Sequence, residues 1–468
     1  MQLNPSRSRG RIAAALGLLT ANLLAAGGAQ AQQTPESGTG SGTDTGSFLN
    51  EPANEPGTMT VETAVLFYQE QGGRVRAIEP AVTLTINRRN GDVFTAGTTY
   101  DTLTGATPNG AAPWTAVQTF TVPVVAMGSQ SAKTGASGTK TLVTLPVGAV
   151  VAQYSIAANT LPVERDFTDD RHGVELGYAH SIDPNTRLSL GVAGSNERDY
   201  RSGSVNVGVS RVLFGKNTTL SLSGNLEFDS ARPRYGVPTP LTPMSGILKG
   251  PSQSKKVISV VAGITQVITR RWLVQANYSY GSGQGYQTDP YKIVSVVSAS
   301  TGAPLQYLYE SRPRSRIRQS VYLASKVSIG SMVTDVSFRY YHDSWKIDAV
   351  TAEASETIPI GRSFYIEPEF RYYHQSAASF FAYYLPGNAA LPRYASSDGR
   401  LARFSATTFS LKAGVKAFRN GELYILCEDY RQTGAKYLAS APGALATENF
   451  FAGVRARSVV AGLRFTFR

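Results

Sequence analysis

The sequence has one cysteine, four histidines and few charges: only 17% of its 468 residues are Asp, Glu, Lys or Arg. Cys427 has no partner in the chain, so no intrachain disulfide staples the fold, and its expected role is packing within a strand. The histidines, His172, His180, His342 and His374, leave little material for acid–base or metal chemistry, and neither an HExxH zinc spacing nor a P-loop occurs. Ser344 lies close to His342 in the chain but is not expected to form a nucleophile–base pair with it unless a bulge intervenes. Long apolar runs are also scarce. Only the N-terminal one approaches the roughly 20 residues a spanning helix needs, which excludes a helical membrane protein. The formal charge is +12, yet Lys and Arg are scattered, so no nucleic acid is expected; anionic lipid headgroups or an anion-attracting lumen fit better.

What is abundant is glycine, 45 residues, with 24 tyrosines and 19 phenylalanines, in a chain that is 42% hydrophobic. That mixture is foreign to a disordered chain. At the N-terminus, Arg7, Arg9 and Arg11 precede an apolar stretch from Ile12 to Ala25 and a small-x-small site at Ala29-Gln30-Ala31. Residues 1–31 therefore read as a secretory signal, and its removal lowers the charge to +9. Residues 32–57 read as a flexible linker rich in Ser, Gly, Thr, Pro and Glu, and 58–468 as the folded part.

In the folded part polarity alternates at period 2, and no long stretch holds a helical period. Val174, Leu176 and Tyr178 oppose Glu175, Gly177 and Ala179; Leu220, Leu222, Leu226 and Phe228 oppose Ser221, Ser223, Asn225, Glu227 and Asp229. At the C-terminal end Val459, Ala461, Leu463, Phe465 and Phe467 oppose Val460, Gly462, Arg464, Thr466 and Arg468. The segments are longer than a soluble strand, and their second face is small and polar. A sheet of that kind turns its apolar face to lipid and closes on itself, because hydrocarbon offers no partner for an unpaired backbone group. The expected fold is all-β: a transmembrane antiparallel β-barrel of about sixteen strands, with 14 to 18 possible.

The sixteen strands are expected near residues 65, 81, 97, 176, 192, 207, 223, 263, 276, 322, 338, 353, 368, 409, 426 and 462. Tight turn signals, such as Asn90-Gly91, Asp183-Pro184-Asn185 and Asn420-Gly421, all follow even-numbered strands. Long connections, at about 104 to 169, 231 to 255, 283 to 315, 376 to 402 and 432 to 455, all follow odd-numbered ones. Short periplasmic turns and long extracellular loops alternate in this way in outer-membrane barrels. Residues 116 to 127 and 139 to 149 are a candidate extra hairpin.

The upper ends of odd strands carry charged and aromatic motifs, among them Glu197-Arg198-Asp199-Tyr200, Arg339-Tyr340-Tyr341-His342-Asp343 and Arg371-Tyr372-Tyr373-His374. They read either as an aromatic girdle braced by charges or as a ring that selects a solute. The candidate residues of the lumen and its mouth are Glu197, Asp199, Glu227, Asp335, Arg339, Asp343, Glu367, Glu369, Arg371, Glu428 and Arg464, with Glu175 also inward by phase. Both signs occur, so pairing across the interior is expected. Asp101, Asn109 and Gly110 are expected to fold a compact constriction loop. Asp166, Asp169 and Asp170 match no EF-hand spacing and read as turn caps, so neither a metal nor another cofactor is expected.

These motifs resemble those of a family of bacterial outer-membrane proteins, domain of unknown function 3570. The matching stretches are Asp101-Thr102-Leu103-Thr104-Gly105, Pro108-Asn109-Gly110, Gln118-Thr119-Phe120-Thr121, Asp166 with Asp169 and Arg171, and Glu197-Arg198-Asp199-Tyr200. They continue through Asp289-Pro290-Tyr291-Lys292, Glu310-Ser311-Arg312-Pro313, Tyr341 to Ile347, Arg371 to Gln375 and Ser397-Asp398-Gly399-Arg400-Leu401. The resemblance implies an outer-membrane barrel and no known activity or catalytic residue. The expected function is a channel or export conduit for a small solute. The alternatives are a plugged barrel that docks partners and, third, an outer-membrane hydrolase. The expected partners are outer-membrane lipids, the machinery that assembles such barrels, and an unidentified small solute.

Overall fold

A computed structural model describes residues 57–123, 141–144, 150–234, 236–244, 248–417 and 420–468; the expected signal segment and nearly all of the linker lie outside them. Sixteen strands close into one antiparallel barrel. They are β1 (Thr58–Glu70), β2 (Val75–Asn87), β3 (Val93–Pro108), β4 (Val163–Asp183), β5 (Thr186–Glu197), β6 (Tyr200–Leu213), β7 (Thr218–Ala231) and β8 (Gln253–Thr269). The second half comprises β9 (Trp272–Gly285), β10 (Ser315–Ile329), β11 (Met332–Asp343), β12 (Asp348–Ile360), β13 (Phe364–Gln375), β14 (Phe404–Val415), β15 (Gly421–Gly434) and β16 (Arg455–Phe467). Each pairs with its neighbours in sequence, and β1 closes on β16 from Met59 opposite Phe467 to Glu70 opposite Ala456. Every expected strand is present and in the wall.

The alternation of polarity is realised as an inverted protein. Leu220, Leu222, Leu226 and Phe228 are exposed on the outside of β7, while Ser223, Glu227 and Asp229 are buried within. Outward aromatic side chains gather towards both rims, with Phe94, Trp272, Phe364 and Phe467 at one end and Phe67, Phe228, Tyr340 and Tyr372 at the other. Such belts mark the two membrane interfaces. Cys427 lies within β15, the strand placement expected of it, and faces outwards, exposed; its neighbours Leu426 and Glu428 take the inward positions. Inside, small residues make room for large ones on the next strand. Tyr365 stands opposite Gly414 and Tyr424 opposite Gly462, and a Cβ on either glycine would come within 2.2 Å of the ring.

The connections after even strands are tight. Asn90 and Asp183 shape two of them by accepting the backbone N–H two residues on, from Asp92 and Asn185. At the opposite end the loops fold together. The expected extra hairpin of 116 to 127 with 139 to 149 is instead a three-stranded sheet outside the wall. In it Val150–Ile156 lies between Gln118–Pro123 and Thr141–Thr144. A second small sheet is built on Ile293–Val297, which is buried along its whole length between Pro304–Tyr309 and Leu385–Pro386. Phe120, Tyr154, Met244, Ile293 and Tyr309 form one apolar cluster; Val294, Val296, Leu308 and Leu385 form another. The loops thus supply hydrophobic cores beyond the apolar patches on the inward wall, the largest of which includes Tyr68, Val75, Ala77, Leu103 and Tyr430.

If the outer face meets hydrocarbon, Leu222→Arg near the middle of β7 should cost about 2–4 kcal/mol of folding stability. The same change at lumen-facing Asn225 should cost much less. Urea unfolding titrations in lipid vesicles measure both, and equal costs would contradict the assigned polarity.

Candidate functional site

The lumen charges are held along the wall. Lys255 pairs with Asp229 at 2.9 Å, Lys326 with Asp335 at 2.7 Å, Arg316 with Asp343 at 2.5 Å, Arg464 with Glu62 at 2.9 Å and Arg171 with Asp101 at 3.5 Å. Each of these joins adjacent strands. These pairs run along the wall and not across the interior as expected. Cross-strand neighbours on one face have Cβ atoms about 5 Å apart, well within reach of a salt bridge, so these charges find their partners locally.

The candidate residues do not make a single ring. Asp335, Glu367 and Arg464 lie within a few residues of the short-turn end. There Glu367 accepts the Thr357 hydroxyl at 3.1 Å, and Tyr365 donates to Glu422 at 2.5 Å. Glu369 lies further along β13 on the same inward face. Glu197, Asp199, Glu227, Arg339, Asp343, Arg371 and Glu428 lie in the upper half, and Ser458 donates to Glu428 at 2.6 Å. Asp343 is fully enclosed: it accepts from Arg316, Tyr341 and the backbone N–H groups of Trp345 and Ile347, which closes the β11–β12 turn. In the neighbouring motifs side chains alternate. Tyr340 and Tyr372 face outwards in the girdle, while Arg339, Tyr341, Arg371 and Tyr373 face the lumen.

The constriction loop needs correction. Asp101 lies in β3, paired in register with Arg171, because the β3–β4 ladder continues to Pro108 opposite Val163. The loop begins at Asn109, which is buried. Its side chain donates to the Tyr154 hydroxyl and accepts the Ala111 N–H, while its carbonyl accepts the Ile293 N–H. Gly110 has φ +97°, and a Cβ there would stand 2.4 Å from the Ile293 carbonyl oxygen. Asn109 and Gly110 therefore dock the loop onto the buried strand of the cap. The Asp166 side chain lies outside the described residues; Asp170 is near Arg198 at 3.7 Å, and no group of His, Cys, Asp or Glu among the described residues could hold a metal. His342 binds Asp348 at 2.8 Å, whereas the Ser344 hydroxyl accepts the Ile317 N–H, so the two do not form a base–nucleophile pair.

A charge network missing from the candidate residues ties the cap together. Asp289, Lys292, Glu310 and Arg312 on the 286–314 loop meet Asp398 and Arg400 on the 376–403 loop. Arg312 bonds to Glu310 and, at 2.8 Å, to Asp398; Arg400 bonds to Asp398 and, at 2.7 Å, to Asp289. The Ser396 hydroxyl donates to Glu310 at 2.5 Å, and Lys292 donates to Thr107 and to the Pro108 carbonyl at the top of β3. Three carboxylates thus face three cations. Burial by itself would raise the Asp398 carboxyl, but the Arg400 and Arg312 guanidiniums outweigh it and hold the group well below the usual carboxylate range. All six residues sit in or beside the motifs quoted above. Charges among Pro and Gly in long loops gave the signal, since such residues are ordinarily solvated and need partners once buried.

Two cavities of about 200 Å³ each lie under and beside the cap. Leu103, Ala106, Pro108, Phe381 and Phe450 give the first a largely apolar wall. The second reaches the wall strands at Arg316, Arg318, Arg339 and Arg371. Both are bordered by Asp199, Asp289, Tyr291 and Arg400, so they meet there. At this junction Tyr291 donates to Asp199 at 2.5 Å.

Residues 41–466 match the model of a family described as "Protein of unknown function (DUF3570)". No curated protein matches the sequence. Among solved structures the barrel is similar to CdiB from Acinetobacter baumannii, at 8% identity and TM-score 0.39; it covers 87% of this chain and 60% of that one. A bacterial polysaccharide outer membrane secretin gives 8% identity and TM-score 0.42, covering 89% and 100%. OccD3 (OpdP) from Pseudomonas aeruginosa gives 8% identity and TM-score 0.40, covering 88% and 92%.

Removing one partner from the buried network should loosen the cap and spare the wall. Asp398→Asn is expected to lower the opening free energy of the 286–314 and 376–403 loops by about 3–5 kcal/mol. Hydrogen exchange resolved by segment measures this. Because the folded Asp398 value is depressed, its contribution is present above the unfolded carboxylate range and is lost as pH falls through the lower folded value. Loop protection should therefore persist from neutrality to about pH 4.

Proposed function

The chain belongs to the DUF3570 family of proteins of unknown function, which brings no activity with it, and from the geometry of the mouth we propose an outer-membrane channel for a small solute. The observation that carries this reading is the pair of adjoining cavities, which join the space under the loops to the charged upper lumen. Wall-parallel pairing supports it, because charges tied to adjacent strands do not bridge the axis. The outward apolar belt between two aromatic rims supports insertion in the outer membrane, with the short turns on the periplasmic side.

In this reading the cap narrows the path and Tyr291 guards the junction, while the arginines below it set ion preference. A hydrogen bond to a charged acceptor contributes about 1.5–3 kcal/mol, so the Tyr291–Asp199 contact can open by side-chain rotation on a fast timescale. The same contact favours the second reading, a plugged barrel that serves as a docking structure.

Purified protein in planar bilayers should show discrete steps of small conductance. Tyr291→Ala should raise the unit conductance, and Arg371→Glu should shift the reversal potential in a KCl gradient towards cations. Persistent silence from folded wild-type protein and Tyr291→Ala alike would reject the channel and favour the plug.

A further inference from the structure

The second cavity has an uneven distribution of charge. Six arginines and three carboxylates border it. Much of the charge that balances the arginines stands behind the cavity lining. Asp343 is wholly buried and filled by its four donors; Glu310 and Asp398, the partners of Arg312, are buried in the cap. Of the three carboxylates on the lining itself, Asp199 already accepts Tyr291 and Asp289 already accepts Arg400. Glu353, on β12 between β11 and β13, stands 3.9 Å from Arg371 and balances part of the charge there, and Glu197 is the third carboxylate of the lining. A solute in the cavity still meets six guanidinium groups against three lining carboxylates.

The placement of the arginines follows from register. Arg316 and Arg318 stand on β10, Arg339 on β11 and Arg371 on β13, all inward and all in the upper half of the barrel. Arg316 is stacked on the Trp345 ring at 4.2 Å, and Arg339 lies 5.7 Å from the centre of the Tyr322 ring. Both rings lie against the face of a planar guanidinium and fix its plane, and Arg316 also donates to Asp343 and Tyr341; guanidinium geometry suits a carboxylate better than an ammonium does. Next to these arginines the lining turns apolar at Ile347, Ala349 and Leu401, of which Ile347 and Leu401 belong to the Trp345 cluster.

We propose that this cavity is a binding site for a small organic carboxylate: the acid group meets Arg339 and Arg371, and a short apolar body lies against Ile347, Ala349 and Leu401. The inference deepens the channel reading by naming the class of solute, and it rests on that reading only for transport. The site itself is a property of the folded protein in detergent.

Isothermal titration of the detergent-solubilised, folded full-length protein tests it with three probes: hexanoate, acetate and hexylammonium. Hexanoate should bind saturably, acetate should bind at least several-fold more weakly, and hexylammonium should not bind. The double variant Arg339→Gln with Arg371→Gln should weaken hexanoate about tenfold to a hundredfold, as expected for loss of charge-assisted hydrogen bonds. Arg339→Lys keeps the charge without the fork and should lie between, with folding of each variant checked by heat-modifiable gel mobility. Hexylammonium binding as well as hexanoate, no hexanoate binding, acetate equal to hexanoate, or unchanged affinity in the folded double variant would each overturn the proposal. Hexanoate binding without conductance would keep the site and remove the channel. Conductance without hexanoate binding would do the reverse.

Discussion

Closure of β1 on β16 is the constraint from which the remaining architecture follows. In hydrocarbon an unpaired backbone N–H or C=O costs several kcal/mol, and an open sheet would present a full row of them along each edge. The seam runs for the whole length of both strands, with Glu62 opposite Arg464 adding a salt bridge near its lower end. Once the sheet closes, one face of every strand must suit lipid and the other must fill the interior. That requirement explains a chain rich in Gly, Ser and Thr opposite Leu, Val and Tyr.

The lumen mixes polar groups with apolar patches such as Tyr68, Val75, Leu103 and Tyr430, and the long loops at the mouth need order of their own. That order comes from the loops themselves. Ile293–Val297 is enclosed on all sides, and the loops from β3, β7, β9 and β13 converge on it. Asn109 and Gly110 fasten the first of these to its edge, and the Asp289–Arg400 network fastens the fourth to the third.

Much of the barrel was legible because its signal repeats. Sixteen weak alternations, with tight turns always on one side, reinforce one another, and each strand centre falls within the observed strand. The site was less legible because it depends on contacts between segments far apart in sequence. Phase placed Arg339 and Arg371 in the lumen, but it could not separate Asp335, Glu367 and Arg464, which share their face and lie at the opposite end. Asp101 looked like a loop residue because Thr102-Leu103-Thr104-Gly105 reads as a turn. The β3–β4 ladder overrides that local preference by extending past the usual bilayer length. The apolar run Ile293-Val294-Ser295-Val296-Val297 was in plain view as a buried-strand pattern, yet within a long connection it carried no information about what would cover it.

In the proposed channel the cap also decides how a path through it would open. Pulling the 286–314 loop from the 376–403 loop breaks several buried ion pairs together and uncovers the apolar strand Ile293–Val297. Turning Tyr291 away sacrifices its charge-assisted hydrogen bond to Asp199 and the one its hydroxyl accepts from the Arg234 N–H, and leaves the network intact; side chains reorient far faster than loops detach. Motion at the junction is therefore local to a side chain, while the buried charges keep the cap in place. In the proposed channel, a rigid cap over an arginine-bearing wall would preserve a narrow, partly desolvated geometry, in which electrostatic contacts strengthen as water is excluded.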